Sequence, residues 1–94
     1  MIVARNTFTA RPGQAGKLLS QLKDMAEAGG LQNCRFFTDI SGDFNTVIME
    51  FEVDSLAAYD SVHESYMTDP EIREKAAGYT ELWTSGKREF LKSA

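Results

Sequence analysis

A chain of 94 residues with 43% hydrophobic and 26% charged residues has the composition of one small folded domain, spanning residues 1–94, and not of a disordered tail. Its net charge of −4, with no Lys/Arg cluster larger than Lys87-Arg88, lacks the basic footprint that nucleic-acid binding requires. Cys34 is the only cysteine and His63 the only histidine, which removes an intramolecular disulfide, a cysteine-rich zinc site and most transition-metal sites. A domain this small buries only about two-thirds of its unfolded surface, and disulfides, metals or oligomerisation usually supplement such cores. Of these, oligomerisation is left. No stretch approaches the ~20 apolar residues that span a bilayer. The N-terminus reaches Arg5 and Asn6 without the apolar run of a secretory leader, so a cytoplasmic location with a reduced thiol is expected.

The first strand is predicted from about Ile2 to Ala10, with Ile2, Ala4, Asn6, Phe8 and Ala10 on one face and Val3, Arg5, Thr7 and Thr9 on the other. Arg11-Pro12-Gly13 breaks it and opens a helix from Gln14 to Ala28, whose apolar residues Ala15, Leu18, Leu19, Leu22, Met25 and Ala26 recur at helical spacing. Gly29-Gly30 ends that helix. A second strand, from about Leu31 to Ile40, carries Cys34, Phe36 and Phe37, and Ser41-Gly42-Asp43-Phe44 reads as a hairpin connection. The third strand, from about Asn45 to Val53, alternates a wholly apolar face (Val47, Met49, Phe51, Val53) with a mixed one (Thr46, Ile48, Glu50, Glu52).

Asp54 reads as the N-cap of a second helix over Ser55 to about Met67, and Asp69-Pro70 as the cap of a short third helix stopped by Gly78. The last strand is predicted from Tyr79 through Trp83 to Leu91, with a bulge or a close backbone approach at Gly86. Strand, helix, strand, strand, helix, strand is the ferredoxin-like βαββαβ order: an α+β fold with an antiparallel sheet and both helices on one face. The other face, bearing Val3 and Ile48 among Arg5, Glu50 and Glu52, has no cover from its own chain, and a second copy is the simplest lid.

Several segments resemble the dimeric α/β-barrel superfamily, and its NIPSNAP-like and antibiotic-biosynthesis-monooxygenase-like domains in particular. They are the strand ending in Arg11-Pro12-Gly13, the Gly42-Asp43 hairpin, Phe51-Glu52-Val53-Asp54-Ser55-Leu56 and Asp69-Pro70-Glu71. The likeness covers essentially the whole chain and implies a homodimer in which two sheets face each other as a barrel. It further implies a ligand cleft between sheet and helices. Some such domains are cofactor-independent oxygenases, some degrade haem, and many have no known activity. The haem-degrading pattern has a Trp on the second helix and a later His. Here that helix has tyrosines and an early His63, so the haem-degrading triad is not expected.

Asn6 is the leading candidate, a polar residue on the helix-facing side of the first strand, where the resemblance implies a ligand-orienting Asn. The ordinary alternative is an amide tied to backbone or water. His63 falls on the stripe of Leu56, Tyr59 and Tyr66 and is predicted to face the sheet, either as a packed histidine or as a group that holds a substrate proton. Phe8, Tyr59, Tyr66 and Trp83 would wall a ligand cleft or simply pack. Cys34 reads as a small buried hydrophobe, and Arg5 and Glu50 as a pair on the open sheet face. No phosphate loop, catalytic triad order or metal-ligand spacing is present, and no cofactor is expected. Three readings stand: a ligand-binding or oxygenase-like dimer with Asn6 and His63 as catalytic residues, a non-catalytic dimeric module, and a ferredoxin-like sensor.

Overall fold

A computed structural model describes residues 1–94, in the order β1 (Ile2–Ala10), α1 (Ala15–Gly29), β2 (Gln32–Thr38), β3 (Thr46–Val53), α2 (Leu56–Thr68), α3 (Pro70–Ala76) and β4 (Trp83–Lys92), with one 3-10 turn over Tyr79–Leu82. The four strands form one sheet of order β2-β3-β1-β4, and β1 pairs antiparallel with both β3 and β4. This is the ferredoxin-like α+β arrangement that the element order predicts. The molecule measures 35 × 35 × 18 Å, a helix layer on a sheet layer and nothing more.

The core sits between those layers. Val47, Met49, Phe51 and Val53 of β3 are all buried, as are Ala4, Asn6 and Ala10 of β1. They pack against Leu18, Leu22 and Met25 of α1, three residues spaced to share one helix face. Gly30, with φ 62°, takes the left-handed position that ends α1, and its N–H bonds back into the last turn. Ser55, not Asp54, caps α2, because its Oγ accepts from the Ala58 N–H at 3.1 Å. Asp69 Oδ1 accepts from the N–H groups of Glu71 and Ile72, and Pro70 opens α3. Gln21 Nε2 donates to the carbonyls of Lys75 and Ala77, which fastens the end of α3 to α1.

The predicted last strand divides. Tyr79–Leu82 winds as a 3-10 turn and extended pairing begins only at Trp83. The register slip between β1 and β4 falls at Thr9/Ala10 and not at Gly86. Gly86 instead lies opposite Phe8, and a Cβ there would stand 3.4 Å from the Phe8 ring, so the close-approach alternative is the one realised. On the open face, the register places Arg35, Glu50, Arg5 and Glu89 in one row across all four strands. Glu50 receives Arg5 Nε at 2.6 Å and Arg35 Nη2 at 3.0 Å. No helix is long and apolar enough to cross a membrane.

Candidate functional site

A cavity of about 160 Å³ lies between helix layer and sheet. Asn6, Phe8, Met49 and Phe51 supply its sheet side. Leu22 and Met25 of α1 and Tyr59, Val62 and Tyr66 of α2 supply its helix side. The remaining polar side chains are His63 and Arg88, which are exposed and, with Met67, mark the mouth. Asn6 and His63, the two candidate catalytic residues, thus line one cavity, together with Phe8, Tyr59 and Tyr66.

Asn6 is 7% exposed and pairs in register with Arg88. Arg88 Nε donates to Asn6 Oδ1 at 2.8 Å. Because a guanidinium only donates, this bond decides which end of the amide is oxygen. The Nδ2 end takes part in no side-chain hydrogen bond of the chain and is the donor a ligand would meet. The Arg88 guanidinium also lies over the Tyr59 ring, 5.5 Å from its centroid. Arg88 was not singled out in the sequence. Its one mark there is parity, since it alternates with Gly86 and Phe90 on the helix-facing side of β4. Its pairing with Asn6 depends on which strands meet.

Tyr59 is the hub of the aromatic wall. It stacks on Phe51 at 6.1 Å, meets Phe90 edge-on at 4.7 Å and lies parallel to His63 at 6.1 Å. Burial pushes its hydroxyl pKa up, the Arg88 charge pulls it back, and Asp60 adds to the rise. Tyr66 crosses to α1 and donates its hydroxyl to the Met25 carbonyl at 3.2 Å. Burial holds that hydroxyl neutral well beyond the ordinary tyrosine range, with Cys34 and Tyr79 adding to the effect. Burial likewise raises the Cys34 thiol, as a small half-buried hydrophobe requires.

Two site expectations need correction. His63 does not turn its face to the sheet and is exposed, as is Leu56, the first residue of the expected stripe. The inward line of α2 runs through Tyr59, Val62 and Tyr66, and at about 100° per residue His63 and Leu56 both fall to one side of it. His63 therefore occupies the rim. Trp83 does not line the cavity. It packs edge-on behind Phe8 at 5.4 Å, with its Nε1 buried and unpartnered, and borders an adjoining recess of about 270 Å³. The turn at Tyr79–Leu82 brings Tyr79 to the cavity wall and carries Trp83 past it.

No protein-family model matches the sequence, and no curated protein matches it either. Solved structures do match in fold. A NIPSNAP family protein of unknown function from Agrobacterium tumefaciens is 17% identical, with a TM-score of 0.87 over 100% of this chain and 88% of its own. An uncharacterised NIPSNAP domain protein from Burkholderia xenovorans is 20% identical, with a TM-score of 0.85 over 100% of this chain and 95% of its own. A protein from Chloroflexus aurantiacus, described as a candidate antibiotic biosynthesis monooxygenase, is 17% identical, with a TM-score of 0.78 over 99% of this chain and 92% of its own. The chain has the ferredoxin-like fold of NIPSNAP and antibiotic-biosynthesis-monooxygenase-like domains. At these identities the likeness is one of fold.

Proposed function

We propose that this chain is a homodimeric domain that binds a small aromatic or apolar ligand in its helix–sheet cleft and acts on it as a cofactor-independent, monooxygenase-like enzyme. The observation that carries the binding half is the cavity itself. A core made only to pack closes such space, because interiors reach crystal-like density. Here about 160 Å³ stays open between Asn6 and His63, walled mostly by apolar side chains. An apolar cavity of about 150 Å³ holds one benzene ring, which sets the scale of the ligand. Asn6 Nδ2 orients a polar atom of that ring. His63 at the rim takes or holds its acidic proton, and the apolar walls keep water from the electron-rich ring that meets dioxygen. The shared fold with the Chloroflexus aurantiacus protein supports the oxygenase half.

The dimer half rests on the sheet face turned away from the helices. Ile48 stands there beside Phe37, which is 44% exposed, and Val3 beside Leu91, and this chain supplies nothing to cover them.

Thermal shift with a panel of single-ring compounds tests the binding half, and oxygen uptake with those that bind tests turnover. Asn6→Leu is expected to abolish ligand-induced stabilisation and turnover with dimerisation intact. His63→Phe is expected to abolish turnover while leaving ligand-induced stabilisation in place. A panel in which no ring compound raises Tm sinks the reading and leaves a non-catalytic dimeric module.

A further inference from the structure

Arg88 is a cation without a counter-charge. The chain holds 14 acidic residues, yet its ion pairs use Arg5, Arg35 and Lys87, and none uses Arg88. Its guanidinium is nevertheless held in place, by the Asn6 amide oxygen at 2.8 Å on one side and the Tyr59 ring at 5.5 Å on another. Holding a long charged side chain in one geometry at the mouth of an apolar cavity costs side-chain entropy, and no carboxylate of the chain offsets it. An arginine ordered at the mouth of the cavity is available to an anion that arrives with a ligand.

The bonding pattern narrows the anion further. Asn6 occupies Nε, so the two Nη groups remain, and together they form the end-on fork that matches the two oxygens of a carboxylate. Asn6 Nδ2, the free amide donor, belongs to the same cluster. The adjoining recess of about 270 Å³ shares Asn6, Phe8, Tyr79 and Arg88 with the cavity. The apolar cavity and the recess therefore meet at Arg88.

We infer that the ligand of this cavity is an anion: a single-ring aromatic carboxylate whose ring lies against Phe8 and Tyr59 and whose carboxylate takes the two Nη groups of Arg88. The inference rests on the proposed ligand-binding reading and specifies the class of ligand. The wall of Tyr59, Phe51 and Phe8 favours a flat ring over an aliphatic chain, and Tyr59 lies parallel to Phe51 as a ring stacking surface.

Titration calorimetry on the purified full chain at pH 7.5, with benzoate, benzamide, phenol and cyclohexanecarboxylate, tests it. Benzoate is expected to bind at least about tenfold tighter than benzamide, its uncharged isostere, because charge-assisted hydrogen bonds are roughly twice as strong as neutral ones. It is expected to exceed cyclohexanecarboxylate as well. Arg88→Gln is expected to erase the preference of benzoate over benzamide, and Arg88→Lys to leave an intermediate preference, since it keeps the charge and loses the fork. Equal binding of benzoate and benzamide by the unaltered chain overturns the inference without recourse to any variant, and leaves the apolar cavity standing as a site for neutral rings. Phenol in preference to benzoate overturns the carboxylate in favour of a hydroxyl, and cyclohexanecarboxylate equal to benzoate overturns the ring. Failure of all four to bind overturns the ligand-binding reading itself.

Discussion

Glu50 is 5% exposed on a face that its own chain leaves uncovered, and it can be because both of its oxygens are matched. Arg5 and Arg35 approach from the strands on either side, so the carboxylate is desolvated by its own partners. Tyr66 shows the complementary case of a hydroxyl kept neutral. Its hydroxyl donates a hydrogen bond to the Met25 carbonyl and stands among Cys34 and Tyr79, where a negative charge would find no partner. A group whose pKa is raised by folding contributes its full stability below its unfolded value, here 10.0, and loses it as pH climbs from that value through the folded one. Tyr59 and Cys34 shift in the same direction. Urea denaturation is therefore expected to show stability flat to about pH 8, falling first as the unfolded Cys34 thiol ionises around its value of 9.0 and more steeply as the tyrosines follow. Tyr66→Phe is expected to cost about 0.5–1.5 kcal/mol at neutral pH from the lost hydrogen bond. It should also make the alkaline decline shallower, and an unchanged slope would show that Tyr66 is not the residue being forced to ionise.

At the scale of elements, the approach of α2 to α1 depends on Gly29. A Cβ on Gly29 would stand 2.7 Å from Tyr66 Cε1 and 3.0 Å from its hydroxyl. The tyrosine lies across that bare backbone and reaches the carbonyl of Met25 one turn earlier. Gly29 is helical, so its value here is the missing side chain and not conformational freedom. In a free helix Gly29→Ala would raise helix propensity by about 0.8–1.0 kcal/mol. In this chain the clash is expected to reverse the sign, for a net destabilisation of about 1–2 kcal/mol, overpacking costing typically 1–3. Paired with Tyr66→Ala, the same substitution is expected to become neutral or stabilising. A double-mutant cycle with no coupling between the two positions would remove this account of how the helices meet. The site inherits the arrangement, since Tyr66 and Met25 are both cavity walls.

The molecule as a whole is a slab 18 Å thick, enough for one layer of helices on one sheet. Its far face mixes Val3, Ile48 and Leu91 with the row Arg35, Glu50, Arg5 and Glu89, which alternates in sign from one sheet edge to the other. Such a row is self-complementary when a second copy faces it reversed, each charge meeting its opposite, and it repels when the copies face it in the same sense. Sedimentation velocity at micromolar concentration is expected to give a dimer, with a contact of roughly 1,200 Å² or more. Ile48→Arg, at the apolar part of that face, is expected to give a folded monomer with unchanged circular dichroism. A monomer from the unaltered chain removes the dimer proposal and leaves the cavity untouched.

How much of this was legible without coordinates follows from the range of each interaction. The faces of β1 and β3 and the buried side of α1 were readable because periods of 2 and 3.6 residues are set by the backbone alone. The Arg5–Glu50 pair followed from the same parity once a topology was assumed. Asn6 stood out as the polar exception on an apolar face. His63 was misjudged because α2 has one buried residue, Tyr59, and too weak an apolar stripe to fix its rotation about its own axis. Trp83 was misplaced because the 3-10 turn at Tyr79–Leu82 offsets the start of β4, and no periodicity announces a single tight turn. Arg88 was missed because its meaning lies in a partner 82 residues away. Local pattern thus determined which side chains face inward. Strand pairing, helix rotation and the space left unfilled between the layers decided which of them form a site, because those depend on contacts between residues that the chain itself keeps far apart.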